Sequence, residues 1–260
     1  MSIFRKKKSG PAAPTPPAKP APEAKRASVF DTDYPIDRTN WFQVFSACLG
    51  RSAAVQQGMA DFVVKNRNWN VDFSQGTLSF GEDAYPVQFL GSESSVSNSW
   101  MWGWNNVNNF DGSLISAAED IRRIGEKWQL EVFTTAQFEL DDTFNGHTLS
   151  IAATGVLPEG YAYYKGPHDN GAVLMLVRPE DSRVFAPVGL KDFVDWTMSS
   201  IQTYYIDHKI FLDSFLMWNG TPYEYDNKRY IAYFGDQRLL IDLEQADEFL
   251  RIKGIKTLGK

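Results

Sequence analysis

The apolar residues between positions 40 and 260 recur with two different spacings, and this alternation constrains the fold more than any other feature of the chain. From Trp41 to Phe62 the steps are three, four or seven residues, which is typical of an amphipathic helix capped by Thr39 or Asn40. The next forty or so residues carry short runs with a period of two and close turns between them, the pattern of antiparallel strands. The sequence therefore predicts an α+β fold, an antiparallel sheet packed by long amphipathic helices.

Helical and strand spacings continue along the chain in the same way. Four pairs of runs predict strand hairpins: 69–73 with 77–80, 85–94 with 98–105, 161–165 with 172–177, and 229–234 with 238–242. Helical spacing returns after Asp111-Gly112-Ser113 and again from 190 to 215, where it predicts one long helix that ends at Asn219-Gly220. The interval 130–156 is ambiguous and favours helix with a break at Asn145-Gly146.

Residues 1–38 differ in composition from the rest and predict a disordered, basic tail rich in proline and alanine. The stretch 9–27 reads SGPAAPTPPAKPAPEAKRA and holds six of the thirteen prolines. It has too few large apolar side chains to offset the entropy of ordering, so we expect an extended spacer of polyproline II character. We divide the chain into this tail and a single α+β domain over 39–260. The tail is either a plain flexible spacer or a docking segment for a proline-binding groove or an acidic surface.

Opposite charges distinguish the tail from the body. Seven of the 26 basic residues and one of the 32 acidic residues lie in 1–28, so this segment carries +6 and the remainder −12. A strongly acidic body is repelled by phosphate backbones, and we therefore do not expect nucleic-acid binding. The same charge difference favours a weak contact of the basic tail with an acidic surface, its own body included.

The single cysteine and the lack of a long apolar run indicate the compartment. Cys48 falls on the apolar stripe of the first helix, where a free cysteine usually behaves as a small buried hydrophobe, and it cannot form an internal disulfide. No apolar run approaches the roughly 18 residues needed to span a bilayer. No hydrophobic stretch follows the basic residues 5–8, as it would in a secretory signal. We expect a cytoplasmic protein without a transmembrane segment.

The least ordinary segment is 99–106, which reads SWMWGWNN. In a strand, Trp100, Trp102 and Trp104 would all point to one face. They would form either a platform on which a ligand stacks or the sheet face packed beneath the helices, since three exposed indoles would be an apolar patch that soluble monomers avoid. Asn105 and Asn106 follow at once and would line a polar rim at the end of the strand. These five residues are the ligand site that the sequence predicts.

This segment resembles an uncharacterised bacterial family, one of the domains of unknown function. The resemblance rests on Leu90-Gly91 in one strand and on the pattern W-x-W-x-W-x-N at Trp100, Trp102, Trp104 and Asn106, between an amphipathic helix and a helical segment. It covers roughly residues 40–220. It implies a bacterial cytoplasmic protein and brings with it no activity and no catalytic residues.

The motifs of common enzyme classes are missing from the sequence. There is no G-x-G-x-x-G, no Walker A loop and no G-x-S-x-G elbow. His147, His168 and His208 stand alone, without a second His or Cys at metal-ligand spacing. Acidic clusters at 82–83, 139–142 and 244–248 resemble solvated or capping carboxylates more than metal ligands. We therefore expect no cofactor and no metal.

We interpret the chain as a non-catalytic binding or interaction domain with a ligand groove at the end of the tryptophan-rich strand. Its partner would be a protein or a small molecule that the sequence does not identify. The alternative is a hydrolase built on dispersed carboxylate and asparagine residues. A deep pocket that joins Trp104, Asn106 and a carboxylate with a perturbed pKa would favour the enzyme.

Overall fold

The computed structural model describes residues 25–246 and 248–258, and within these ranges the chain is a mixed α+β structure with antiparallel sheets, as predicted. The α-helices are α1 Trp41–Gly58, α2 Gly112–Trp128, α3 Glu131–Thr134, α4 Gly146–Val156, α5 Leu190–Thr203 and α6 His208–Asn219. The strands are β1 Trp69–Asp72, β2 Thr77–Phe80, β3 Asp83–Ser94, β4 Ser99–Trp102, β5 Gln137–Glu139, β6 Ala162–His168, β7 Gly171–Val177, β8 Tyr223–Asp226, β9 Arg229–Phe234, β10 Gln237–Ala246 and β11 Phe249–Leu258. Positions 1–24 of the predicted tail lie outside the described residues.

The first sheet is organised by β3, a strand of 12 residues. Its first residues pair with β2, and its last residues lie between β4 and β7. The strand order is β1-β2-β3-β4-β5, with the β6–β7 hairpin attached through β7. A long strand accumulates twist, and a bulge between Phe89 and Gly91 bends this one further, so the sheet curls.

A second, four-stranded sheet has the order β11-β10-β9-β8. The sequence predicted β9 and the first part of β10, but β10 continues to Ala246 and pairs with β11. The prediction missed β8 and β11, because their charged residues and shallow burial weaken the apolar alternation that marks a strand. β11 packs against α6, where the Ile252 N–H donates to the Nδ1 atom of His208 at 3.0 Å.

The predicted long helix over 190–219 is wrong, because the structure has two helices there. The Asp207 side chain accepts hydrogen bonds from the backbone N–H groups of Lys209 and Ile210, at 2.9 and 3.0 Å. This is the contact of an N-terminal cap, which starts α6 as a separate helix after α5 has ended at Thr203. Helical spacing on both sides of the break hid it from the sequence.

The predicted helix over 130–156 is also corrected. Only α3 and α4 are helical there, and β5 lies between them as the edge partner of β4. Phe138 of β5 pairs with Trp100 of β4, so a distant strand determines the conformation of this segment. The predicted break at Asn145-Gly146 is the start of α4, which the Asn145 side chain caps.

The first helix, α1, begins as predicted, with the Asn40 side chain accepting from the Gln43 N–H. It packs closely against α4 in the core. Cys48 is buried at this contact, as predicted, and burial raises the pKa of its thiol to about 12. Gly155 of α4 lies directly against it, and a Cβ atom at Gly155 would overlap the Cys48 side chain. The two helices approach this closely because one of them carries no side chain at the contact.

Residues 25–38, which the sequence placed in the tail, pack on the body. Val29 is fully buried beside Ala47 of α1 and Ile210 of α6. The Ala27 N–H donates to the carbonyl oxygen of Met217 at 3.1 Å. The folded part of the chain therefore begins before position 39, because this segment supplies apolar and hydrogen-bonding groups to α6.

A buried carboxylate connects this segment to α6 and to the second sheet. Asp213 accepts hydrogen bonds from the hydroxyls of Tyr34 and Tyr230, both at 2.8 Å, and from the Lys209 ammonium at 2.7 Å. We call these four residues the Asp213 cluster. The Asp213 side chain is only 4% exposed, so its charge depends on hydrogen-bond donors of the protein for the solvation that water would otherwise supply.

Candidate binding groove

Trp100 and Trp102 of the tryptophan-rich strand are buried, at 0% and 1% exposure. Their rings meet edge to face, with 5.1 Å between the centroids. Gly91 on β3 makes room for them, because a Cβ atom there would overlap the Trp100 ring. The Trp102 Nε1–H donates to the carbonyl oxygen of Val132 at 2.8 Å. Both indoles therefore belong to the core, and Trp102 contacts α3.

Trp104 does not share a face with the other two indoles, so that part of the prediction is wrong. The strand β4 ends at Trp102, and Gly103–Asn105 forms a single 3-10 turn, where the period of two no longer applies. The Trp104 ring instead lies beneath the Arg122 guanidinium, whose carbon is 4.9 Å from the ring centroid. The predicted strand 98–105 is thus shortened to Ser99–Trp102.

The two asparagines of the predicted site have different environments. Asn105 is exposed. Asn106 adopts a left-handed backbone with φ of 46°, and its side-chain amide closes the loop that leads to α2. The Asn106 Nδ2 donates to the Phe110 carbonyl at 3.0 Å, and its Oδ1 accepts from the Phe110 N–H at 2.8 Å. The ligand site at Trp100, Trp102, Trp104, Asn105 and Asn106 stays a prediction.

A groove of about 350 Å³ opens at the edge of the first sheet, next to β5. Phe138 on its wall is the cross-strand partner of Trp100. The groove is lined by the start of α1, by α3 and the residues around it, by β5 and by the loop before α4: Thr39, Trp41, Leu130, Glu131, Val132, Thr135, Phe138, Glu139 and Phe144. It therefore lies beside the tryptophan-rich strand but is lined by other residues.

Three half-buried aromatic rings form the apolar walls of the groove. The Phe144 ring centroid lies 5.2 Å from that of Trp41 and 6.0 Å from that of Phe138. Behind them Phe133 is fully buried and contacts both Trp41 and Trp102. Because the core supports the rings from behind, they form a rigid apolar surface that is open in front.

Each ring is positioned by a local contact. Trp41 is the first residue of α1 and is placed by the Asn40 cap. Phe138 is held by the pairing of β5 with β4. Phe144 follows a tight turn in which the Asp141 carboxylate accepts from the Phe144 N–H at 2.6 Å. These contacts fix the positions of the three rings relative to the elements that carry them.

Two carboxylates stand on the rim of the groove. Glu131 begins α3 and Glu139 ends β5, and both residues are exposed. Among the described residues neither carboxylate has a cationic partner. The groove thus combines apolar walls with unpaired negative charge at its edge. Such a surface suits an extended ligand that carries both apolar groups and a cation.

A second polar site lies at the N-terminus of α4. Glu93 accepts from the Gly146 N–H at 2.5 Å and pairs with Lys165. The His147 Nδ1 lies 3.3 Å from the Tyr163 hydroxyl, and Tyr163 also lines a cavity of about 360 Å³. Burial and the nearby Lys165 lower the pKa of His147, while burial raises the pKa of Tyr163. Both rings are therefore neutral near pH 7, and their contact joins α4 to β6.

In two of the predicted acidic clusters one carboxylate forms an ion pair. Asp83 pairs with Arg67 at 2.6 Å, and this contact lowers the pKa of the carboxyl. Glu244 pairs with Lys253 at 3.3 Å, and Asp247 lies outside the described residues. No group of three His, Cys, Asp or Glu side chains that could hold a metal ion is found in 25–246 and 248–258.

The other two histidines also have identifiable surroundings. His208 is buried, and burial together with nearby Arg251 lowers its pKa. His168 lies at the turn between β6 and β7, where its Nδ1 accepts from the Asn170 N–H at 3.3 Å. Neither histidine lines the groove.

A family model matches residues 43–180, which run from α1 to just beyond β7 and make up just over half of the chain. The chain belongs to DUF6882, a family of unknown function. The predicted resemblance to a family of unknown function is thereby confirmed. That the protein is bacterial, and that the W-x-W-x-W-x-N pattern is characteristic of the family, stay predictions. No curated protein and no solved structure matches the chain.

The DUF6882 match contains the whole first sheet and all the groove residues except Thr39 and Trp41. The helices α5 and α6 and the second sheet follow it. In the part of the chain that the structure describes, no helix combines the length and apolar character required to cross a bilayer.

The sequence prediction missed Phe138 and Phe144 as groove residues, because it read their segment as helical. A signal for β5 was present: Gln137-Phe138-Glu139-Leu140 alternates polar and apolar residues with a period of two. Trp41 lies on the apolar stripe of the predicted first helix, and that pattern does not show that its ring is open to solvent on one side. No local signal indicates that these three rings meet, because they come from three separate elements.

Proposed function

We propose that this DUF6882 protein is a non-catalytic interaction domain that binds an extended, proline-containing peptide with basic residues in the groove beside β5. The observation that carries the proposal is the set of three half-buried rings, Trp41, Phe138 and Phe144, open to solvent on one side. Aromatic-lined grooves bind polyproline II peptides because the ligand is already extended and loses little conformational entropy on binding.

The charge of the rim supports a basic ligand. Glu131 and Glu139 flank the rings and have no cationic partner among the described residues. A lysine or arginine of a bound peptide would supply that partner, and it would also speed up association with a body that carries net negative charge.

The hydrolase alternative is less well supported by the geometry. It depends on carboxylates and asparagines that are free to act on a substrate. Asp83 and Glu244 are paired with cations, and Asn106 uses both ends of its amide on Phe110. The contact between His147 and Tyr163 involves none of these residues.

We also propose that the protein acts in the cytoplasm as a single domain. A lone cysteine that is buried and unpaired supports a reducing compartment. Contacts of α6 with both α1 and β11 support one folding unit, since they join the DUF6882 region to the second sheet.

The proposal is tested by titrating the full chain with a synthetic peptide of about twelve residues that has proline at every third position and two lysines at one end. Isothermal calorimetry gives the affinity, and the indole N–H resonance of Trp41 reports the location. Glu131→Gln combined with Glu139→Gln should weaken binding between about three- and twentyfold, the effect of losing two exposed charge pairs. Phe144→Leu should weaken it further by removing an aromatic face while keeping apolar bulk.

The matched control is Glu82→Gln combined with Glu180→Gln, which changes the net charge equally at two exposed positions outside the groove. This control should bind like the unaltered chain. The proposal is refuted if millimolar peptide produces neither heat nor a shift at Trp41, or if the groove variant and the control variant lose affinity equally.

A further inference from the structure

We propose that the groove is occupied in cis by the chain's own N-terminal proline segment, residues 9–22, which competes with partner peptides. This inference rests on the proposed function. The segment lies outside the described residues, and three observations support it as the occupant: the spacing of its prolines, its charge, and the point where the described chain begins.

The prolines of this segment are spaced as a groove of this kind requires. Pro11, Pro14, Pro17 and Pro20 recur at every third position. A polyproline II helix has three residues per turn, so prolines with this spacing share one edge of the helix, and the two that reach the groove, Pro11 and Pro14, would meet it with the same edge. The chain therefore contains a ligand of the class that its own groove is proposed to bind.

The charge of the segment complements the rim of the groove. Residues 1–24 contain five basic side chains, including the run Arg5 to Lys8, and one acid, Glu23. The rim presents Glu131 and Glu139 without cationic partners among the described residues. A run of cations next to the prolines would place positive charge where the groove lacks it.

The described chain begins at a known position on the surface. The Arg26 Nε donates to the carbonyl oxygen of Trp218 at 2.8 Å, and the Arg26 guanidinium pairs with Glu159 at 3.2 Å. Residue 25 thus lies near the end of α6 and the loop that follows α4.

This starting point is within reach of the groove. The loop after α4 contacts α1 through Arg51, whose guanidinium donates to the Pro158 carbonyl at 3.5 Å. Arg51 and Trp41 lie on the same helix, about 15 Å apart at 1.5 Å per residue. Residues 15–24 span about 31 Å as a polyproline II segment, so the first two prolines of the set reach Trp41 with chain to spare.

Attachment to the same chain makes even a weak contact effective. A connection of this length gives an effective concentration of about 1 mM. If the free peptide binds with a Kd of about 100 µM, the attached segment lowers the apparent affinity for a competing peptide about tenfold.

The test compares two full-length proteins, the unaltered chain and a variant in which Pro11, Pro14, Pro17 and Pro20 are all replaced by alanine. Each is titrated with a fluorescein-labelled peptide of residues 5–22, and the anisotropy is measured at 150 mM salt. The variant should bind the labelled peptide about tenfold more tightly than the unaltered chain. Adding Glu131→Gln and Glu139→Gln to the variant should weaken its binding again, which locates the contact in the groove.

The outcomes separate the two proposals. Equal affinity of both proteins for the labelled peptide overturns cis occupancy and leaves the proposed function standing. Failure of both proteins to bind either this peptide or the proline-lysine peptide overturns the proposed function as well. If the unaltered chain sediments as a dimer while the proline variant sediments as a monomer, the segment binds a second copy and the cis arrangement is overturned.

Discussion

Removing the Asp213 carboxylate should destabilise the fold more than most single substitutions, and its effect should depend on Tyr230. Asp213→Ala removes the acceptor of three hydrogen bonds, two from tyrosine hydroxyls and one from Lys209. The Tyr230 hydroxyl is then left in the core without an acceptor, since this residue is 0% exposed. The same substitution also releases Tyr34, which attaches residues 25–38 to α6.

The size of the effect follows from burial. Leaving a buried hydroxyl unsatisfied costs about 1–3 kcal/mol. Breaking a buried charged contact by removing one partner costs about 3–5 kcal/mol. Lys209 is about one-third exposed and regains water, so its contribution is smaller. We expect the free energy of unfolding to fall by about 4 kcal/mol, a large share of the 5–15 kcal/mol typical of a domain.

The decisive measurement is a double-mutant cycle by urea denaturation at pH 7. Tyr230→Phe alone should cost about 1.5 kcal/mol, because it removes one charge-assisted hydrogen bond. In the Asp213→Ala background the same change should be neutral or stabilising, because it removes a hydroxyl that no longer has an acceptor. An equal cost of Tyr230→Phe in both backgrounds would refute the reasoning. Hydrogen exchange at Ala27 should rise in Asp213→Ala, since its segment loses the Tyr34 contact.

Two further predictions concern pH and packing. Burial and the Asp213 charge raise the pKa of Tyr34 and Tyr230 far above the ordinary value near 10. Their contribution to the free energy of unfolding is therefore complete below pH 10 and is lost above it, at up to about 1.4 kcal/mol per pH unit for each tyrosine. Tyrosinate absorbance and circular dichroism should change together in one alkaline transition. Ionisation of these two rings without loss of helix would contradict this prediction. Gly155→Ala should lower the free energy of unfolding by about 2–3 kcal/mol, because its Cβ overlaps Cys48. The control Gly112→Ala, where a Cβ meets nothing within 4 Å, should change it by less than about 0.5 kcal/mol in the same urea titration.

The sequence alone determined the elements whose signals are local. The spacing of apolar residues from Trp41 predicted α1 and its cap, and the period-two runs predicted the hairpins β1–β2 and β6–β7. The position of Cys48 on the apolar stripe predicted its burial. These predictions are correct because a helix or hairpin buries a face whose pattern lies within a few consecutive turns.

Only the tertiary structure determined the groove and the extent of the folded body. Trp41, Phe138 and Phe144 meet because β5 pairs with β4, and that pairing overrides the helical reading of its segment. Tyr34 belongs to the body because Asp213, almost 180 positions later, accepts its hydroxyl. Trp104 leaves the face of its neighbours because the strand ends at Trp102. In the first two cases the deciding contact joins residues far apart in sequence, and it outweighs the local preference of the segment.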